Sequence, residues 1–129
     1  ELYHVPRLVS SVCVQAVLEM ELPADAVTVH TLKFPDLKLP EYLATNPHGS
    51  APCLKLPGGE VMLESSAILI YLMETFDRDH KLHPAVGSPS RARFLYLVQY
   101  ALATVYPLVV PVALEKLKPS EQQDTQLIE

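Results

Sequence analysis

NPHGSAPCLKLPGGEVMLESSAI, residues 46 to 68, sets three prolines and three glycines around two short apolar runs. Cys53 to Leu56 and Glu60 to Leu63 read as strands, and Pro57, Gly58 and Gly59 between them supply turn geometry, so the stretch predicts an antiparallel hairpin. Ser65 then opens a helix through Phe76 whose residues Ala67, Ile68, Leu69, Ile70, Leu72 and Met73 leave almost no polar face. Pro52 stands directly before the first strand. It has no N–H to donate and holds Ala51 extended, which leaves that backbone edge free to take an extended peptide as a pseudo-strand. The Ala51–Pro52 bond can also be cis at modest cost. A few residues on, the first helical turn from Ser65 offers unpaired N–H groups suited to a carboxylate or phosphate, and Glu64 beside it can accept from an ammonium. One short stretch thus presents groups for both halves of a zwitterionic α-amino acid.

Working outward, Leu2 to Val5 is an apolar run closed by Pro6 and reads as a strand. Val12, Cys13, Ala16, Val17 and Met20 recur at helical spacing behind Ser10 or Ser11 as N-cap, and this helix ends near Leu22 and Pro23. Ala26 to Leu32 alternates and is rich in β-branched residues, a second strand. Strand, helix and strand with short joints imply a parallel pair with a right-handed crossover. Residues 33 to 50 read as loop with at most one helical turn around Glu41 to Ala44. Asp77 to Pro89 resembles a linker. Ser90 caps a helical pattern to about Leu117, bent or interrupted at Pro107 and Pro111. The closing PSEQQDTQLIE is polar and closes nothing. The fold class is therefore α/β, followed by a helical region.

The 129 residues are 49% hydrophobic and 19% charged, enough for a real core. A net charge of -5, with no basic stripe, argues against nucleic acid as partner. Cys13 and Cys53 sit in apolar stretches without metal spacing, and the five histidines show none, so no metal site is read. Two cysteines without a disulfide pattern fit a reducing, cytoplasmic setting. The first residues lack a basic region followed by an apolar core, so no signal peptide is expected. The chain begins at Glu1 without Met, which suggests trimming. Residues 94 to 114 carry no formal charge over a length that could span a bilayer, but Gln99, Pro107, Pro111, three tyrosines and the lack of flanking basic bias favour a buried soluble helix. Such a helix needs partners, so the chain looks cut off within a helical domain or dependent on another subunit.

LYHVP followed by a Ser-bearing helix start, LPEYLATNPHGSAPCL, and GGEVMLESSAILIYL together resemble the amino-terminal domain of a cytosolic glutathione S-transferase, in order and spacing over residues 2 to 76. The resemblance implies a thioredoxin-like, glutathione-binding domain over residues 1–78, a linker over 79–89, and the start of an all-helical domain over 90–129. It further implies that Pro52 is cis and that Ala51 pairs through its backbone with the cysteinyl part of glutathione. Glu64 and Ser65 would hold the γ-glutamyl end, Ser50 would join the site, and Lys38 matches a basic position that contacts the glycine carboxylate in some plant-like classes. A hydroxyl near the first helix would stabilise the glutathione thiolate. An ungapped comparison with the theta-like and phi-like serine classes puts that hydroxyl near Leu8, whereas the hydroxyls here are Ser10 and Ser11.

The activity so implied is conjugation of the glutathione thiolate to a hydrophobic electrophile, as in detoxification, with no metal. The resemblance also implies a homodimer, with Phe94, Leu97, Val98, Ala101 and Leu102 partly facing the partner. A glutathione-dependent peroxidase or isomerase would use the same site. The competing reading is a non-catalytic dimerisation or scaffold module, favoured by the displaced hydroxyl. A thioredoxin-like redox role wants C-x-x-C or a Cys at the helix start, and neither is present.

Overall fold

β1 (Leu2–His4) runs through the middle of a four-stranded sheet of order β2-β1-β3-β4. In the computed structural model, which describes residues 1–128, it pairs in parallel with β2 (Val29–Thr31) and antiparallel with β3 (Cys53–Lys55), which in turn pairs antiparallel with β4 (Val61–Met62). The expected crossover and hairpin are both present, with shorter strands. Ala26 to Thr28 stay outside β2 because the chain is still turning there, with the Ala26 N–H donating to the Pro23 carbonyl at 2.9 Å.

Side-chain alternation along the strands divides the core. Leu2 and Leu54 face α1 (Ser11–Glu19) and α3 (Ser65–Phe76), where they bury Cys13, Ile68 and Leu72. Cys53 faces the other side and packs with Val5, Leu37 and Tyr42. That second cluster reflects more structure in residues 33–50 than one helical turn: a 3₁₀ segment, Phe34–Lys38, leads through Leu39 into α2 (Pro40–Leu43). Asp36 accepts the Lys33 N–H at 2.7 Å and Pro40 stands at the first helical position, which explains why a proline-rich stretch turns helically here.

The segment after α3 is fastened to the body. The buried Asp77 carboxylate accepts N–H groups of Lys81 (3.0 Å), Leu82 (2.7 Å) and His83 (3.2 Å) and pairs with the buried His83 ring at 3.0 Å. Arg91 donates to the Pro84 carbonyl at 3.1 Å and to Glu74. The first compact unit accordingly spans Glu1–Arg91, and a second begins at Ala92.

A continuous helical run from Arg91 reaches Lys116: α4 (Arg91–Gln99), a π-helical stretch (Tyr100–Val105) and α5 (Tyr106–Lys116). The widened turns lie immediately before Pro107, where an α-helical carbonyl would meet the proline ring, while Pro111 is carried inside α5. This run is 26 residues long and apolar enough to cross a membrane by length and composition, and its most apolar 18-residue window is 0% buried. Phe94, Val98, Leu102, Tyr106 and Val110 along it are half-buried. The polar end folds back: Gln123 donates to the Lys118 carbonyl at 2.8 Å, and the Asp124 N–H to the buried Glu115 at 2.8 Å, ahead of α6 (Thr125–Ile128).

Candidate functional site

The antiparallel β3–β4 pairing brings the residues before β3 beside those after β4, and a cleft of about 250 Å³ opens between them. Its walls are His48, Ser50, Ala51 and Pro52 on one side and Leu63, Glu64 and Ser65 on the other, with Val9 from the segment preceding α1. Five of the eight residues expected at the site, Ser50, Ala51, Pro52, Glu64 and Ser65, therefore meet in one place. The Ala51–Pro52 peptide is cis. Among the described residues no hydrogen bond engages the Ala51 N–H or carbonyl, so the free edge read from Pro52 is present.

Glu64 occupies the N-cap of α3 with φ +73° and ψ 116°, a conformation that costs a non-glycine residue about 1–3 kcal/mol and persists where surrounding structure enforces it. No side chain caps this helix, which leaves its first-turn N–H groups at the cleft. Ser65 is buried, and its carbonyl accepts a hydrogen bond from the Cys13 thiol at 3.5 Å. Burial pushes the Cys13 thiol up to about 12, so this cysteine is no nucleophile at neutral pH. Burial raises Cys53 as well.

Three expected residues stand elsewhere. Ser10 is fully buried and does not cap α1: its backbone is already helical, at φ -59° and ψ -21°, and its hydroxyl closes the preceding loop. It donates to the Val5 carbonyl at 2.9 Å and accepts the Val5 N–H at 3.1 Å. Ser11, the first residue of α1, is half-buried and does not line the cleft. Lys38 is exposed, outside the lining, and donates through Nζ to the Gly49 carbonyl at 3.2 Å.

Asn46 and Tyr42 were not read from the sequence as site residues, yet they hold the cleft wall. Asn46 is fully buried. Its Nδ2 donates to the Ser50 carbonyl at 2.8 Å, its Oδ1 accepts the His48 N–H at 3.1 Å, and the Tyr42 hydroxyl donates to the same Ser50 carbonyl at 2.5 Å. The signal was an Asn whose side chain bonds its own backbone two residues on, a turn device compatible with the following proline. Gly49 within this turn has φ +57°, and a Cβ there would lie 2.7 Å from the Leu37 carbonyl oxygen.

Residues 2–81 match the family model described as the glutathione S-transferase N-terminal domain. The glutathione S-transferase-like protein OpS6 of Beauveria bassiana is 42% identical over 77 residues, which are 57% of this chain and 35% of that protein. The glutathione S-transferase-like protein tpcF of Aspergillus fumigatus is 37% identical over 71 residues, 54% of this chain and 30% of that one. This chain thus aligns with about a third of each of those curated relatives. Among solved structures, a glutathione transferase homolog of Lodderomyces elongisporus, solved with two GSH per subunit, superposes with a TM-score of 0.79 at 22% identity, covering 98% of this chain and 60% of its own. The glutathione transferase URE2P6 of Phanerochaete chrysosporium, in complex with oxidized glutathione, gives 0.77 at 25% identity, with 98% and 58% covered. A thioredoxin-like α/β unit that matches the N-terminal family model over residues 2–81 and is followed by helices places this chain in the glutathione S-transferase family.

Proposed function

We propose that the chain carries the glutathione-binding site of a transferase that adds the glutathione thiolate to a hydrophobic electrophile. The observation that supports this most is the convergence, in one cleft, of an unpaired Ala51 backbone, Glu64 at its forced backbone angle and the uncapped first turn of α3. The cysteinyl backbone pairs with Ala51, the γ-glutamyl ammonium meets Glu64, and its carboxylate meets the N–H groups at Ser65. Ser50 offers its exposed hydroxyl beside them. Catalysis then consists of holding the thiol where the electrophile arrives and favouring its ionised form.

In this reading Ser11 is the thiol-activating hydroxyl. Ser10 has its single proton committed to Val5, whereas no hydrogen bond among the described residues engages the Ser11 side chain. The enzyme acts in the reducing cytoplasm, in detoxification. It forms a homodimer through the helical run, where Leu97 is 48% exposed.

A specific observation favours a second reading, a non-catalytic module that keeps the fold as a dimerisation or scaffold element. The segment before α1 contributes Val9 to the cleft wall, and neither Ser10 nor Ser11. Calorimetric titration of reduced glutathione, with thiolate absorbance and conjugation of an aryl halide measured in parallel, separates the two. Binding with thiolate formation and turnover supports the transferase. Binding with thiolate formation but no turnover of the aryl halide favours a glutathione-dependent peroxidase or isomerase, binding without either favours the module, and no binding to folded protein rejects the glutathione reading.

A further inference from the structure

Ser88–Pro89 is the only step in the sequence at which a proline follows a serine or threonine, and Arg91 stands three positions after the serine. The step lies on an arch between two anchors. Upstream, Asp77 holds the N–H groups of Lys81, Leu82 and His83. Downstream, Arg91 donates to the Pro84 carbonyl at 3.1 Å and to Glu74 on α3. Between the anchors Val86 is 78% exposed, an added Cβ at Gly87 would meet nothing within 4 Å, Pro89 and Ser90 are exposed, and Ser88 is half-buried. Two turn hydrogen bonds shape the arch, Ser88 N–H to the Ala85 carbonyl and Arg91 N–H to the Ser88 carbonyl, both at 3.1 Å. Ser88 can therefore be drawn into another protein's cleft by local opening, while Asp77 keeps the preceding segment in place.

We propose that Ser88 is a phosphorylation site for a proline-directed serine kinase, and that Arg91 is the group that responds to the phosphate. The γ-phosphoryl group of a nucleoside triphosphate passes to the Ser88 Oγ, the new P–O bond forming as the bond to the bridging oxygen breaks. Nucleoside diphosphate leaves, and the kinase takes the hydroxyl proton. Pro89 is the recognition feature, since it has no N–H and disfavours helical backbone at Ser88. Ser90, whose Oγ lies 3.4 Å from that of Ser88, is the competing acceptor, but no proline follows it. The Ser88–Arg91 turn has Pro89 at its second position, and a turn of this kind keeps its end Cα atoms within about 7 Å. A phosphate on Ser88, with nearly two negative charges, thus stands close to a guanidinium whose present partner, Glu74, carries one. Arg91 then moves from Glu74 to the phosphate, and the strap that joins residues 84–91 to α3 loosens.

The test begins with the full-length protein, a proline-directed serine kinase that favours a basic residue three positions after the serine, and magnesium nucleoside triphosphate. Mass spectrometry is expected to find one phosphoryl group on Ser88, lost in Ser88→Ala and in Pro89→Ala and kept in Ser90→Ala. No transfer to the folded chain, transfer to Ser90 instead, or transfer indifferent to Pro89 overturns the site. The part given to Arg91 is read by phosphorus NMR. The second ionisation of the phosphoserine is expected below its ordinary value of about 6, and Arg91→Gln returns it there. An ordinary value in the phosphorylated wild type overturns that part. Amide hydrogen exchange over residues 84–91 is expected to rise about tenfold or more on phosphorylation, as loss of a charge-assisted bond implies. Glu74→Gln raises the same exchange without phosphate. Exchange unchanged by phosphorylation overturns the loosening.

Discussion

The Asn46 side-chain amide donates to the Ser50 carbonyl at 2.8 Å, immediately before the Ala51–Pro52 step in the wall of the cleft. A fully buried residue outside the lining thereby sets where the lining residues stand. Asn46→Ala leaves the His48 N–H and part of the Ser50 carbonyl unpaired, at a cost of about 1–3 kcal/mol. The variant is expected to fold, to unfold at lower urea, and to bind glutathione more weakly than this loss of stability alone explains. Undiminished affinity would show that the turn holds its shape without the amide.

Gly49→Ala tests the same turn from its backbone. The position has φ +57° and its Cβ would approach the Leu37 carbonyl oxygen to 2.7 Å, so neither rotation nor side-chain movement relieves the contact. We expect a loss of roughly 2 kcal/mol or more, seen as a lower urea midpoint at unchanged slope. Gly58→Ala, where an added Cβ meets nothing within 4 Å, is the control.

Ser10 and Ser11 are expected to separate stability from chemistry. Ser10→Ala strands the buried Val5 N–H and carbonyl and costs about 1–3 kcal/mol, whereas Ser11→Ala, which breaks no hydrogen bond among the described residues, costs under about 0.5 kcal/mol. If Ser11 activates the thiol, its alanine variant binds glutathione but loses the thiolate absorbance. A stable Ser10→Ala protein lacking that absorbance would reverse the two roles.

Acid stability follows from Asp77. Burial raises its carboxyl, but the Leu82 N–H, the His83 ring and the Lys81 and His83 N–H groups outweigh burial and hold it at about 2, below its ordinary 3.8. Between those values the unfolded chain binds more protons than the folded one, so stability rises with pH there. The contribution is complete above the unfolded value and is lost as pH falls through about 2. Asp77→Asn should flatten the urea midpoint over this acid range and cost about 1–3 kcal/mol at neutral pH, since its amide nitrogen cannot accept the hydrogen bonds taken by the carboxylate oxygen it replaces. An unchanged acid limb would assign the acid sensitivity to other carboxylates.

Much of this architecture was written locally. Turn chemistry at Pro57 to Gly59, the change of period behind Ser10 and the unbroken apolar run after Ser65 specify a hairpin and two helices. Each signal depends only on neighbours in the chain, so these elements, the exposed edge at Ala51 and the pairing of Glu64 with Ser65 could be read from residue types alone. The sequence could not say which hydroxyl was spent on structure. Ser10 and Ser11 are equivalent as letters, and only the return of Val5 to the start of α1 gives one of them two backbone partners. Local sequence thus determined the elements and most of the residues that line the cleft. Tertiary structure decided which polar groups remain uncommitted, because a side chain's hydrogen-bonding capacity is finite and long-range packing allots it.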